Sequence, residues 1–221
     1  MNYSEVKREL KNEFESFLKP KGFASKCENQ GCRFILNKND IQFRFGYGVS
    51  NYINEFYVGL FGSLGRFDIQ RVENLIFLEN SFYNTLLLNK SDYFKDQNYR
   101  YHIKSLENIK EWIIISQTFY DEFAVPFFEK FITIDSIDKL LNNHPGEKVV
   151  YCDDLSWRII KGLIAAKLNN NPTYDKLRDY YKNEVESKLQ GYFMYEKCMK
   201  TINFLDQYTS EELNQLANES K

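Results

Sequence analysis

The sequence predicts an α+β fold: an N-terminal helix, an antiparallel β-meander, then a mainly helical C-terminal half. Three observations carry this expectation. Residues 41–49 alternate, with Ile41, Phe43, Phe45, Tyr47 and Val49 at odd positions and Gln42, Arg44, Gly46 and Gly48 between them, the period of a half-buried strand. Across residues 4–19, Val6, Leu10, Phe14, Phe17 and Leu18 recur at three- and four-residue spacings, one apolar stripe of a helix. From Ser105 onward such stripes return segment after segment, punctuated by Asn, Pro and Gly. The chain reads as residues 1–131, a helix plus sheet with a covering helix, and residues 132–221, a helical region packed on the first as one unit.

Taken in order, Ser4 is the N-cap of the first helix, Pro20 ends it, and Lys21-Gly22-Phe23 turns the chain toward the sheet. Cys32, Phe34 and Leu36 form the apolar row of the strand before Ile41, and Asn37-Lys38-Asn39-Asp40 is a turn of hairpin length. A slip of one residue would turn five large apolar groups into water, so the register is firm. After a second turn near Ser50-Asn51, residues 55–61 put Phe56, Val58 and Leu60 on one face and Tyr57, Gly59 and Phe61 on the other. That strand is apolar on both sides and is expected at a central or covered position.

The stretch 68–100 is the hardest to read. Val72, Leu75, Ile76 and Leu78 fit a short helix or an edge strand, residues 82–88 are apolar, and residues 89–98 are loop-like. Tyr99, Tyr101 and Ile103 alternate, as a further strand would. Ser105 opens a long helix through Phe123 that Pro126 should interrupt, since proline lacks a backbone donor. Asp135-Ser136 caps a short helix through Leu141. Asp153 or Asp154 caps the next, which ends at Asn169-Asn170-Asn171. Pro172 suits the first position of a further helix, read as continuing past Gly191 to Leu205. Thr209-Ser210-Glu211-Glu212 is a capping box for a last short helix.

Composition excludes several classes. Twenty-nine basic and 31 acidic side chains give a net charge of −2, with no basic block to engage duplex nucleic acid. No run of about eighteen apolar residues marks a membrane span. The amphipathic N-terminus lacks the unbroken apolar core of a secretion signal, so a cytoplasmic protein is expected. Cys27, Cys32, Cys152 and Cys198 lack the close spacing of a structural zinc site and are expected as reduced, packed thiols. No metal or cofactor is implied.

His102 and His144 stand beside no nucleophile or carboxylate cluster, and no G-x-S-x-G, H-E-x-x-H or P-loop pattern occurs. The glycines of Gly59-Leu60-Phe61-Gly62-Ser63-Leu64-Gly65 read as a strand end rather than a phosphate cradle, and Asp153-Asp154 as helix-start acids. No catalytic residue is named, and the reading leans against an enzyme. The reverse face of the sheet is the informative one. Arg33, Arg44 and Tyr57, with Gln42 and small glycines between, could receive a carboxylate, a phosphate or an acidic partner. An ordinary solvated face fits the same pattern.

The string Phe14-x-x-Phe17-Leu18-Lys19-Pro20-x-Gly22-Phe23, followed by aromatic-rich alternating strands, resembles the bacterial family labelled domain of unknown function 4304. The stretch Arg158-Ile159-Ile160-x-Gly162-Leu163-Ile164-Ala165-Ala166-Lys167-Leu168 is similar to a later helix of such proteins. The resemblance implies a helix entering an antiparallel sheet and supplies no established catalytic residues to carry over. The functional expectation is a non-enzymatic bacterial binding protein whose partner is another protein, such as an immunity-type module. The alternative is a small-molecule or anion site at Arg33, Arg44 and Tyr57, with or without catalysis. Oligomeric state is left open.

Overall fold

The computed structural model describes residues 2–53, 55–78, 84–96, 98–152 and 154–219. In chain order the elements are α1 (Tyr3–Leu18), β1 (Ala24–Glu28), β2 (Gly31–Lys38), β3 (Ile41–Tyr52), β4 (Glu55–Arg66), α2 (Phe67–Phe77), β5 (Leu86–Leu87), α3 (Ser91–Phe94), β6 (Tyr101–Ile103), α4 (Leu106–Phe119), α5 (Val125–Lys130), α6 (Ile134–Asn142), α7 (Leu155–Leu168), α8 (Tyr174–Lys188), α9 (Tyr195–Leu205) and α10 (Ser210–Glu219). This is the expected α+β order. Two compact units form: Met1–Leu64 with Leu87–Lys130, and Gly65–Leu86 with Phe131–Lys221. The excursion holding α2 thus belongs with the helical unit, although the linear division placed it with the sheet.

In the first unit the sheet has the order β1-β2-β3-β4-β5, with β6 also paired to β4. β1–β2, β2–β3 and β4–β6 are antiparallel. The five odd residues of β3 from Ile41 to Val49 are all buried. Phe14 of α1 lies on Phe34, Phe45 and Tyr47 with ring centroids 5.8, 6.5 and 4.6 Å away. Phe119 and Phe128 cover Phe45 and Phe43 at 6.2 and 5.0 Å. One face of the sheet is therefore sealed by aromatic packing.

Local chemistry corrects several boundaries. The cap of α1 is Asn2, not Ser4: Asn2 Oδ1 accepts from Glu5 N and Glu5 Oε2 accepts from Asn2 N, a capping box. β1 was not expected, because its residues are largely exposed and show no apolar alternation. It places Cys27 opposite Cys32, and the two form a disulfide. The expectation of four reduced thiols is overturned there, while Cys152 and Cys198 are free and buried. The β3–β4 turn falls later than expected, with Ile53 at φ 47°. The interruption expected at Pro126 is a π-helical turn over Tyr120–Ala124, which widens the helix just before the residue that has no N–H to give.

In the second unit α7 is the hub. Ile159, Ile160, Leu163, Ile164, Ala165 and Ala166 are fully buried, and α2, α6, α8, α9 and α10 all pack on it or on one another. Asp154 caps it by accepting from Trp157 N at 3.0 Å; the alternative cap, Asp153, lies outside the described residues, as does part of the apolar run 82–88. Thr133, rather than Asp135 or Ser136, caps α6. Pro172 is not the first helical residue: Asn171 Oδ1 accepts from Thr173 N and Oγ1, which delays α8 to Tyr174. α8 ends at Lys188 and does not run past Gly191, whose φ of 80° breaks it. The capping box at Thr209 and Glu212 forms as expected. No helix among the described residues is long and apolar enough to cross a membrane.

Candidate functional site

Arg33, Arg44 and Tyr57 do share the reverse face of the sheet. Arg33 pairs with Gly46 and Ile35 with Arg44, so both arginines lie opposite the buried row of Phe34 and Phe45. Tyr57 lies between the buried Phe56 and Val58. Each of the three is engaged by a neighbour. Arg33 donates to Glu28 at 2.6 Å. Arg44 donates to Gln42, whose amide is itself fixed on Asn37 Oδ1 at 2.9 Å. Partial burial and then the Arg33 charge bring Arg44 down to about 10. Tyr57 donates to Glu55 at 2.9 Å, a bond that raises its pKa, and its ring stacks on His102 at 4.6 Å.

The concave part of this face lies beside them. A trough of about 520 Å³ is lined by Ser50, Tyr52, Gly59, Phe61, Lys90 and Arg100, among others. It shares Gln30, Gly48 and Phe61 with a smaller recess of about 140 Å³ that holds Glu28 and Arg33. Its floor exists because Gly48 and Gly59 fall on the outward positions of β3 and β4. A Cβ built on Gly59 would sit 3.8 Å from both Lys90 Nζ and Arg100 Cγ, so the Lys90 ammonium and the stem of Arg100 lie over bare backbone.

The polar groups of the trough are mutually placed. Arg100 Nη1 lies 3.3 Å from the Tyr52 hydroxyl and 3.5 Å from Ser50 Oγ. Lys90 is half-buried, and its pKa is lowered first by that burial and next by the Arg100 charge, against the pull of Asp96. The trough therefore gathers hydrogen-bond donors of two kinds, cationic and hydroxyl, around one opening. Among the described residues that line it, no nucleophile has a base beside it. Among the described residues no cluster of three His, Cys, Asp or Glu is arranged to hold a metal.

The sequence reading did not single out Ser50, Tyr52, Lys90 or Arg100. A signal existed for one of them. The alternation of Tyr99, Tyr101 and Ile103 that suggested a strand also puts Arg100 and His102 on its other face. Tyr101 indeed packs on Trp112 at 5.3 Å, beneath the covered side. Lys90 carried no such signal, because it sits in a loop. No protein-family model, curated protein or solved structure matches the chain.

Proposed function

We propose that the protein is a non-enzymatic binding protein whose ligand occupies the trough on the open face of its sheet. The observation that carries this reading is the concavity itself, about 520 Å³ of polar-walled space over glycine backbone. That volume lies in the range of small-ligand sites. A stable protein partner wants a broader surface with a desolvated apolar centre, so the small-ligand reading is favoured over the protein-partner one.

Kinship with the domain of unknown function 4304 family stays part of the proposal, supported by α1 ending at Leu18 and the turn at Gly22, φ 90°, that leads into β1. A cytoplasmic placement stays part of it too, with one condition. In a reducing compartment Cys27 and Cys32 would face each other as thiols, whereas an oxidising one would keep the bridge.

Gly59→Leu tests the reading. Gly59 has ordinary backbone angles, and its added Cβ meets nothing closer than 3.7 Å, so the fold should accept a side chain that fills the trough. A thermal-shift screen of metabolites should find a compound that raises the melting temperature of the wild type but not of Gly59→Leu. A screen with no such compound, or one whose hit acts equally on both proteins, would overturn the proposal.

A further inference from the structure

We infer that Lys90 and Arg100 form an anchor for a phosphate dianion, free or carried on a small organic molecule, within the trough. The inference deepens the small-ligand reading above and rests on it. Four donors face the same opening: the Lys90 ammonium, the Arg100 guanidinium, the Tyr52 hydroxyl and Ser50 Oγ. Arg100 already reaches both hydroxyls, so the three groups are held together before any ligand arrives. Lys90 Nζ comes within 3.8 Å of the position a Gly59 Cβ would take, as does Arg100 Cγ. Glycine there leaves open backbone beside the Lys90 ammonium and the stem of Arg100, whose guanidinium reaches on to Tyr52 and Ser50.

The charge balance favours a dianion over a monocarboxylate. Lys90 and Arg100 repel one another, and Arg100 weighs more on Lys90 than the opposing Asp96 does. Glu28 is occupied by Arg33 at 2.6 Å, and Glu55 by the Tyr57 hydroxyl. A single negative charge would satisfy only one of the two cations. A phosphate group has three oxygens, enough to accept from the ammonium, the guanidinium fork and a hydroxyl together. The adjoining recess toward Arg33 and Phe61 leaves room for an organic remainder.

The test is titration calorimetry with inorganic phosphate, phenyl phosphate and acetate at low ionic strength, where an open site is least screened. Saturable binding of at least one phosphate probe is expected, with acetate at least tenfold weaker. Lys90→Gln and Arg100→Gln should each weaken phosphate binding at least tenfold, and Arg100→Lys should fall between Arg100→Gln and wild type. All three variants alter partly exposed side chains, and unchanged circular dichroism confirms their fold. Binding by phenyl phosphate and not by inorganic phosphate would assign the anchor to an ester. The inference falls if neither phosphate probe binds, if acetate binds as well, or if both Gln variants bind like wild type. If a neutral compound is found that Gly59→Leu excludes while no phosphate probe binds, the trough reading stands and this one is lost.

Discussion

Glu73 lies on α2 with 2% of its surface exposed, and its Oε1 has no hydrogen-bond partner. Burial lifts its carboxyl to about 7, although the charges of Lys161 and Lys197 pull the other way. Lys161 donates to the Asn84 carbonyl and lies over the Trp157 ring at 5.1 Å, so it is fixed rather than free to swing onto the carboxylate. The sign of the pH effect follows. A carboxyl whose pKa is higher in the folded state holds its proton more firmly there. Folded stability is therefore undiminished below about 4.5, falls as pH rises, and has lost its full amount above about 7. The shift corresponds to roughly 3 kcal/mol. Glu73→Gln should remove that slope and leave the variant more stable than wild type at pH 8. Urea denaturation at pH 5, 6, 7 and 8 measures it, and parallel curves for the two proteins would contradict the assignment. Nothing in the sequence marked Glu73, because a carboxylate among Val72, Leu75 and Ile76 looks like the wet side of a helix until its neighbours in space are known.

At the scale of elements, α6, α7 and α8 are joined by a buried polar network centred on Asp138. Its carboxylate accepts from Asn142, Asn169 and Asn171 at 2.6, 2.8 and 2.8 Å. Asn142 Nδ2 also donates to the Gly162 carbonyl, and Tyr181 donates to Asn142 Oδ1. Arg158 adds bonds to the carbonyls of Leu141 and His144 at 2.8 Å and to that of Glu147, which satisfies acceptors that the end of α6 leaves open. Gly162 is small for a reason the network supplies: a Cβ there would lie 2.7 Å from Asn142 Oδ1. Gly162→Ala, normally favourable in a helix, should therefore destabilise by about 2–4 kcal/mol, by pushing Asn142 off its partners. A guanidinium titration reads this directly, and a neutral or stabilising result would show that the network yields easily. Elements were legible where apolar period and cap lay close in sequence, as in β3, α4 and the Thr209 box. They were illegible where a partner far along the chain decided. β1 exists because β2 pairs with it, and the asparagines read only as a stop before Pro172 hold Asp138 from α6. The site followed the same rule: parity put Arg33, Gln42 and Arg44 on one face, but Glu28, which occupies Arg33, is found only in space.

At the scale of the whole molecule, each compact unit is assembled from two separated stretches of chain, and this bears on what can fold alone. A linear division at residue 131 assigns α2 to the wrong partner. α2 packs with α7, α9 and α10, and its Ile69, Val72 and Ile76 are at most 1% exposed. Burying three such side chains is worth on the order of 5 kcal/mol, comparable to the net stability of an ordinary domain. A fragment of residues 132–221 would lack that contribution and would expose the face of α7, α9 and α10 that α2 covers. It would also lose the Asn84 carbonyl that receives Lys161, leaving a buried ammonium without its acceptor. The fragment should keep much of its far-ultraviolet helical signal but lose its near-ultraviolet signal, bind a hydrophobic dye and unfold without a sharp transition. Supplying residues 65–86 as a separate peptide should restore cooperative unfolding. A fragment that melts sharply without the peptide would mean that α2 is dispensable and that the helical unit is continuous in sequence after all.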